Sequence, residues 1–186
     1  MESLEDAVEI EKINKINKAD FLSDVPANLR FKVTESIYDG VANKVLIFKD
    51  RDPDLVSNLI PKMTPMKVKK SEYLYKKGQF SSAIYLLFSG RVVEMDNGIN
   101  FREYSVGSYF GEIEIFKNSP RKYSMKTLED CQLMVIERSD LLNTLKFYPE
   151  LKIDMISCAI IKEMKAAQTL HKVVRHNIDR RLAQSY

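Results

Sequence analysis

Between Thr64 and Glu137 the chain is cut into short apolar runs at even spacing, with turn residues between them, and this pattern constrains the fold more than any other feature. Met66 and Val68 alternate with lysines, Tyr73 and Tyr75 follow, and Gly78 closes a turn. Residues 83–88 (Ala-Ile-Tyr-Leu-Leu-Phe) form a continuous apolar strand, which Ser89-Gly90 turns into residues 91–95. Asp96-Asn97-Gly98 is a strong hairpin signal, because Asn-Gly supplies the left-handed backbone that a tight turn demands, and residues 99–104 pair back across it. Residues 121–127 and 133–137 supply further strands. Such a series predicts an antiparallel β-roll, closed or double-sheeted and jelly-roll-like.

Helices flank the roll, so the fold class is mainly β with helices on either side. Residues 2–18 carry a narrow apolar stripe (Leu4, Val8, Ile10, Ile13, Ile16). Ser23 or Asp24 then caps a helix with Leu29, Val33, Ile37 and Val41 on one face, and Asp52 caps another over residues 53–62. After the strands, Ser139 and Asp140 cap a helix through Phe147, and Pro149 starts a long one. From Glu150 to Tyr186 there is neither Gly nor Pro. Ile153, Ile156, Ile160, Met164, Ala167, Leu170, Val174, Ile178 and Leu182 fall three and four apart, which predicts an amphipathic helix with that stripe inward. Its first half covers the roll; beyond His171 the stripe needs a second partner, for which a neighbouring subunit is expected.

Composition narrows the function. A net charge of +3 over 186 residues, with acidic residues interleaved among the basic ones, gives no case for a nucleic acid polymer as partner. No apolar run approaches the roughly 20 residues that span a bilayer. Cys131 and Cys158 have no metal-like spacing and are expected as small buried hydrophobes in a reducing, intracellular setting. His171 and His176 both sit on the terminal helix, away from any barrel interior, so a metal site is not expected. Neither Ser nor Cys stands beside a base, and the chain is not read as an enzyme.

The candidate chemistry lies in Tyr109-Phe110-Gly111-Glu112-Ile113-Glu114-Ile115-Phe116-Lys117-Asn118-Ser119-Pro120-Arg121. A glycine opens a segment that can form a helical turn, whose amides point at an anion. A guanidinium returning beyond a Pro turn can clamp that anion through two hydrogen bonds. Glu112, an acceptor when ionised, suits a sugar hydroxyl. Together these would hold a small phosphorylated sugar.

Phe110-Gly111-Glu112-Ile113 followed by Pro120-Arg121 resembles the phosphate-binding cassette of cyclic-nucleotide-binding domains, and Gly78, Tyr85, Leu87 and Gly90 match the family's glycine and tyrosine spacing. The stretch from Leu46-Ile47-Phe48 to Asp52-Pro53 is similar, more loosely, to the C-linker end and first domain helix of cyclic-nucleotide-gated, hyperpolarisation-activated and ether-à-go-go potassium channels. The resemblance implies a C-linker-like segment over 1–50 and a binding domain over 51–186, with the roll at 64–137 and helices at 139–186. It implies cAMP or cGMP as ligand, with no metal. Gly111 and the following amides would meet the cyclic phosphate, Glu112 the ribose 2′-hydroxyl and Arg121 a phosphate oxygen. Phe110, Ile113, Lys122 and Tyr123 would line the site, with Lys162 and Lys165 as a possible lid beside Met164, itself expected in the core.

Three residues depart from the family pattern. Glu114 replaces a small residue near the phosphate and would repel the ligand unless it points away. Lys122 occupies a position where family members carry threonine or alanine, and it would add positive charge or face water. Tyr123 replaces an alanine, and strand alternation places it on the same side as Arg121, where a phenol would fill the pocket, turn aside or stack on a nucleotide. Two readings result. In one, the chain is the cytoplasmic domain of a membrane protein, binding cAMP or cGMP and passing the change to a covalently attached transmembrane channel, potassium-type by resemblance and a homo-oligomer, tetrameric by resemblance. In the other, the pocket is self-filled and the domain is an assembly and gating scaffold. A kinase regulatory subunit stays open as a third.

Overall fold

A computed structural model describes Arg51 and residues 53–183. The helices expected before Arg51, the Asp52 cap and the last three residues lie outside the described residues.

The chain begins with helix α1 (Pro53–Leu59) and a 3-10 turn (Ile60–Lys62). Eight strands follow: β1 (Thr64–Val68), β2 (Tyr73–Tyr75), β3 (Ala83–Ser89), β4 (Val92–Asp96), β5 (Ile99–Tyr104), β6 (Tyr109–Phe110), β7 (Ser124–Thr127) and β8 (Cys131–Glu137). A short helix α2 (Glu112–Lys117) separates β6 from β7, and helices α3 (Arg138–Leu145) and α4 (Pro149–Ala183) close the chain. The strands form two four-stranded sheets, ordered β1-β8-β3-β6 and β2-β7-β4-β5, with every pairing antiparallel. This is the expected β-roll with a long C-terminal helix.

Alternation along the strands sets two cores. Tyr85, Leu87 and Leu133 of the first sheet meet Tyr75, Val92 and Met125 of the second, inside the roll. Ile84, Leu86, Met134 and Ile136 point the other way, onto Leu55, Leu59, Leu141, Leu145, Leu151 and Met155 of the helices. With both faces of β3 covered, its apolar run has no polar alternation to show. At the hairpin, Asn97 and Gly98 both have positive φ (47° and 80°), as a two-residue turn requires.

Two sequence expectations are corrected by α4. The predicted inward stripe faces largely outward: Ile153, Ile160, Met164, Ile178 and Leu182 are all more than half exposed, Met164 at 60%. The inward face is Leu151, Met155, Ala159 and Ala166, with Leu170 and Val173 partly buried beyond them. Apolar residues occur on several sides of this helix, and the alanines let its backbone approach the roll closely. Cys158, one step off the buried face at Ala159, is exposed, whereas Cys131 is buried as expected.

Candidate functional site

Gly111 stops β6 and starts α2. Its backbone is left-handed (φ 89°, ψ 4°), and a β-carbon there would stand 2.9 Å from Arg121 Nη1 and 3.2 Å from the Ala83 carbonyl oxygen. Glycine is therefore needed twice over, for the dihedral and for the approach of the guanidinium. The turn beyond α2 is closed by Asn118, also left-handed, and returns the chain to Arg121.

Arg121 is only 2% exposed and ties the segments together. Its Nη1 donates to the Gly111 carbonyl and, at 3.3 Å, to Glu114 Oε2, while Nη2 donates to the Ala83 carbonyl. The guanidinium lies 4.2 Å from the Tyr75 ring centroid. Its Nε is buried and has no hydrogen-bond partner among the described residues. A cavity of about 380 Å³ reaches Arg121 from the side of the β2–β3 turn, lined also by Leu74, Tyr75, Gln79, Phe80, Ser82 and Tyr85. Desolvation holds the phenols of Tyr75 and Tyr85 above their ordinary pKa, so both stay neutral hydrogen-bonding groups.

Glu112, the first residue of α2, is fully buried and meets Lys162 of α4. Lys162 Nζ donates to Glu112 Oε1 (2.8 Å) and to the Tyr109 carbonyl (2.9 Å), and lies 3.5 Å from the Tyr109 ring centroid. Glu112 Oε2 is buried without a hydrogen-bond partner among the described residues. A third buried carboxylate, Glu94, accepts from Arg102 Nε at 2.7 Å, and Arg102 Nη1 donates to the Lys162 carbonyl at 2.8 Å. Burial raises the pKa of Glu94 despite Arg102, and the nearby Glu114 adds to the rise. Three carboxylates, Glu94, Glu112 and Glu114, are thus each matched by one cation, Arg102, Lys162 and Arg121.

The remaining candidates separate. Phe110 is in the roll core, stacked on Tyr85 at 5.7 Å. Ile113 faces an apolar groove of about 200 Å³ between α2 and α4, with Phe116, Ile156 and Ile160. The Lys122 backbone amide donates to Glu114 Oε1 at 3.3 Å, while its ammonium turns onto Glu163 of α4, which Lys117 also holds. Lys165 is exposed, and of the two lid lysines Lys162 makes the contact with the cassette.

Tyr123 turns aside, the second of its three expected courses, and corrects its placement beside Arg121 by strand alternation. Residues 121–123 are irregular, with β7 starting only at Ser124, so strand alternation does not apply to them. Tyr123 packs edge-on against Phe101 (4.9 Å, 70°) in a cluster with Ala166, Leu170 and Val173, away from the residues that surround the Arg121 guanidinium. Sequence reasoning missed Glu94 and Arg102. A regular two-residue hairpin would set Glu94 opposite Phe101, but a bulge after Glu94 moves it opposite Arg102.

The comparisons with known proteins agree with this architecture. Residues 65–148 match the model of the cyclic nucleotide-binding domain. Over this segment the chain is similar to that family. Over 145 residues the chain is 28% identical to the cyclic nucleotide-gated channel cone photoreceptor subunit alpha of Gallus gallus and to cyclic nucleotide-gated channel alpha-3 of Homo sapiens, covering 74% of this chain in each case. The aligned region is 20% and 21% of those channels, so the chain corresponds to about a fifth of their length. The fold is similar to that of a cAMP-bound protein kinase A regulatory subunit, PfPKA-R (141-441), with TM-score 0.57 and 21% identity over 71% of this chain and 48% of that one. It is also similar to the second binding domain of a protein kinase A regulatory subunit bound to Sp-2Cl-cAMPS, with TM-score 0.56 and 21% identity over 74% of this chain and 94% of that one. Among the described residues no helix is long and apolar enough to cross a membrane, and no group of three or more His, Cys, Asp and Glu is placed to hold a metal ion.

Proposed function

We infer that the chain is a non-catalytic regulatory module that takes cAMP or cGMP at the cassette and passes the change to a channel pore attached in the full-length protein. The observation that carries this is the buried Arg121 guanidinium held against the left-handed Gly111 turn, with Glu112 as the next residue. Phosphate would meet Arg121 and the Lys122 amide; the ribose hydroxyl would meet Glu112. Because Lys162 joins Glu112 to α4, ligand at Glu112 changes how that helix is held, and differential affinity between the two helix positions is what coupling requires. The channel relatives support a cytoplasmic domain of a membrane protein, although they give no support for potassium selectivity. The outward apolar stripe of α4 supports a homo-oligomer.

A second reading, in which the module assembles and gates without nucleotide, is favoured by one observation. Arg121 and Glu112 already have partners from the chain itself, Glu114 and Lys162. It would be filled by these ion pairs and not by Tyr123.

Calorimetric titration with cAMP and with cGMP separates the readings. The sensor predicts saturable heat from the native domain, at least about tenfold weaker in Arg121→Lys, which keeps the charge but loses the fixed donor geometry of the guanidinium. Silence to millimolar nucleotide from a domain that melts cooperatively favours the scaffold.

A further inference from the structure

The donors that a phosphate would use at Arg121 are already engaged by an anion of the chain. Glu114 is 7% exposed, and its two oxygens divide between one charged and one main-chain donor: Arg121 Nη1 and the Lys122 amide, both at 3.3 Å. These are the donor types that bind a phosphate's oxygens, and the carboxylate occupies them as such a group would. Elsewhere Nη1 and Nη2 are committed to the Gly111 and Ala83 carbonyls and the guanidinium is covered by Tyr75, which leaves the buried Nε as its one nitrogen without a partner among the described residues. A phosphate therefore finds Nη1 and the Lys122 amide open only if the carboxylate leaves. Both contacts lie at the long end of the hydrogen-bond range, so they can be exchanged for shorter ones.

Charge makes the exchange selective. A cyclic phosphodiester carries one negative charge, as Glu114 does, and Glu94 and Glu112 are buried nearby. Adding an anion without moving Glu114 would leave one guanidinium facing two negative groups in a dry site, where like charges repel strongly.

We propose that Glu114 sets the nucleotide affinity of this cassette: its carboxylate is a built-in anion on Arg121 and the Lys122 amide, and a cyclic nucleotide binds by displacing it. The proposal rests on the sensor reading and assigns its affinity to one side chain. The test is calorimetric titration of cAMP and cGMP into the native domain, Glu114→Gln and Glu114→Ala, with a thermal melt of each. Glu114→Gln keeps the shape and an acceptor oxygen but removes the charge, so it carries the test if Glu114→Ala does not fold.

The expected result is a Kd at least about tenfold lower in Glu114→Ala than in the native domain, with a smaller gain in Glu114→Gln. A native domain silent to nucleotide beside a Glu114→Ala domain that binds also supports the proposal. Equal or weaker binding by both folded variants, with a native domain that binds, overturns the role of Glu114 and leaves the nucleotide reading standing. No binding by any of the three, each melting cooperatively, overturns both.

Discussion

At Gly111 a β-carbon would meet the guanidinium of Arg121 and the carbonyl of Ala83, whereas at Gly98, with nearly the same positive φ, it would meet nothing within 4 Å. The pair separates dihedral strain from crowding. Gly98→Ala is expected to cost about 1 kcal/mol, the penalty for a side chain in left-handed backbone. Gly111→Ala adds a clash with a pinned side chain and is expected to cost about 2–4 kcal/mol. Chemical denaturation of both variants measures the difference; equal losses would show that Arg121 yields freely. A second residue-scale prediction concerns Glu163. Its hydrogen bond to Lys117, helped by Lys122, lowers its pKa below the ordinary 4.5. A carboxylate lowered on folding contributes stability above its unfolded pKa and loses it as pH falls through the folded one. As pH falls through the ordinary glutamate range and below it, the native domain should therefore lose more stability than Glu163→Gln. Glu94, whose pKa burial raises, acts in the opposite direction in both proteins and cancels from that difference.

Helix α4 is held both to the cassette and to the strand and return beside it. Lys162 joins Glu112 and Tyr109, and Ala166 packs on the Phe101–Tyr123 pair with almost no exposed surface. Ala166→Leu would force three added carbons against two rings and is expected to lower stability by about 1–3 kcal/mol. Lys162→Met should leave the long helix formed but speed hydrogen exchange in its middle turns, and unchanged exchange there would show that Lys162 does not hold it. The existence of this helix was legible from the absence of Gly and Pro after Glu150, but its buried face was not. Apolar residues lie on several sides, and the small Ala159 and Ala166 mark the close approach while Ile153, Ile160 and Met164 face out. A stripe chosen by size and hydrophobicity picks the latter. Tyr123 takes one of its three expected courses, turning aside; only its placement on the side of Arg121 fails, because alternation holds along a strand and β7 begins one residue after it.

The roll as a whole was legible because turn chemistry and strand period agree along it. Asn97-Gly98 forms the hairpin, and the apolar run at β3 is buried on both faces. The pairing of cassette residues was legible only in part. Gly111, Glu112 and Arg121 can be found by spacing, but the Glu112–Lys162 and Glu114–Arg121 pairs depend on how a distant helix and a short irregular return are set in space. The outward stripe of α4, from Ile153 to Leu182, is an apolar face that a second subunit would cover. Sedimentation of the domain should accordingly show self-association that weakens in Ile160→Lys with Met164→Lys, and a monomer at all concentrations would count against it.

The central claim is that the phosphate of a cyclic nucleotide takes Arg121 from Glu114. A crystal structure of the domain grown with cAMP tests it most directly. The account predicts a phosphate oxygen within about 3 Å of Arg121 Nη1, with the Glu114 carboxylate turned away. A nucleotide bound elsewhere, with the Glu114–Arg121 pair intact, would contradict it.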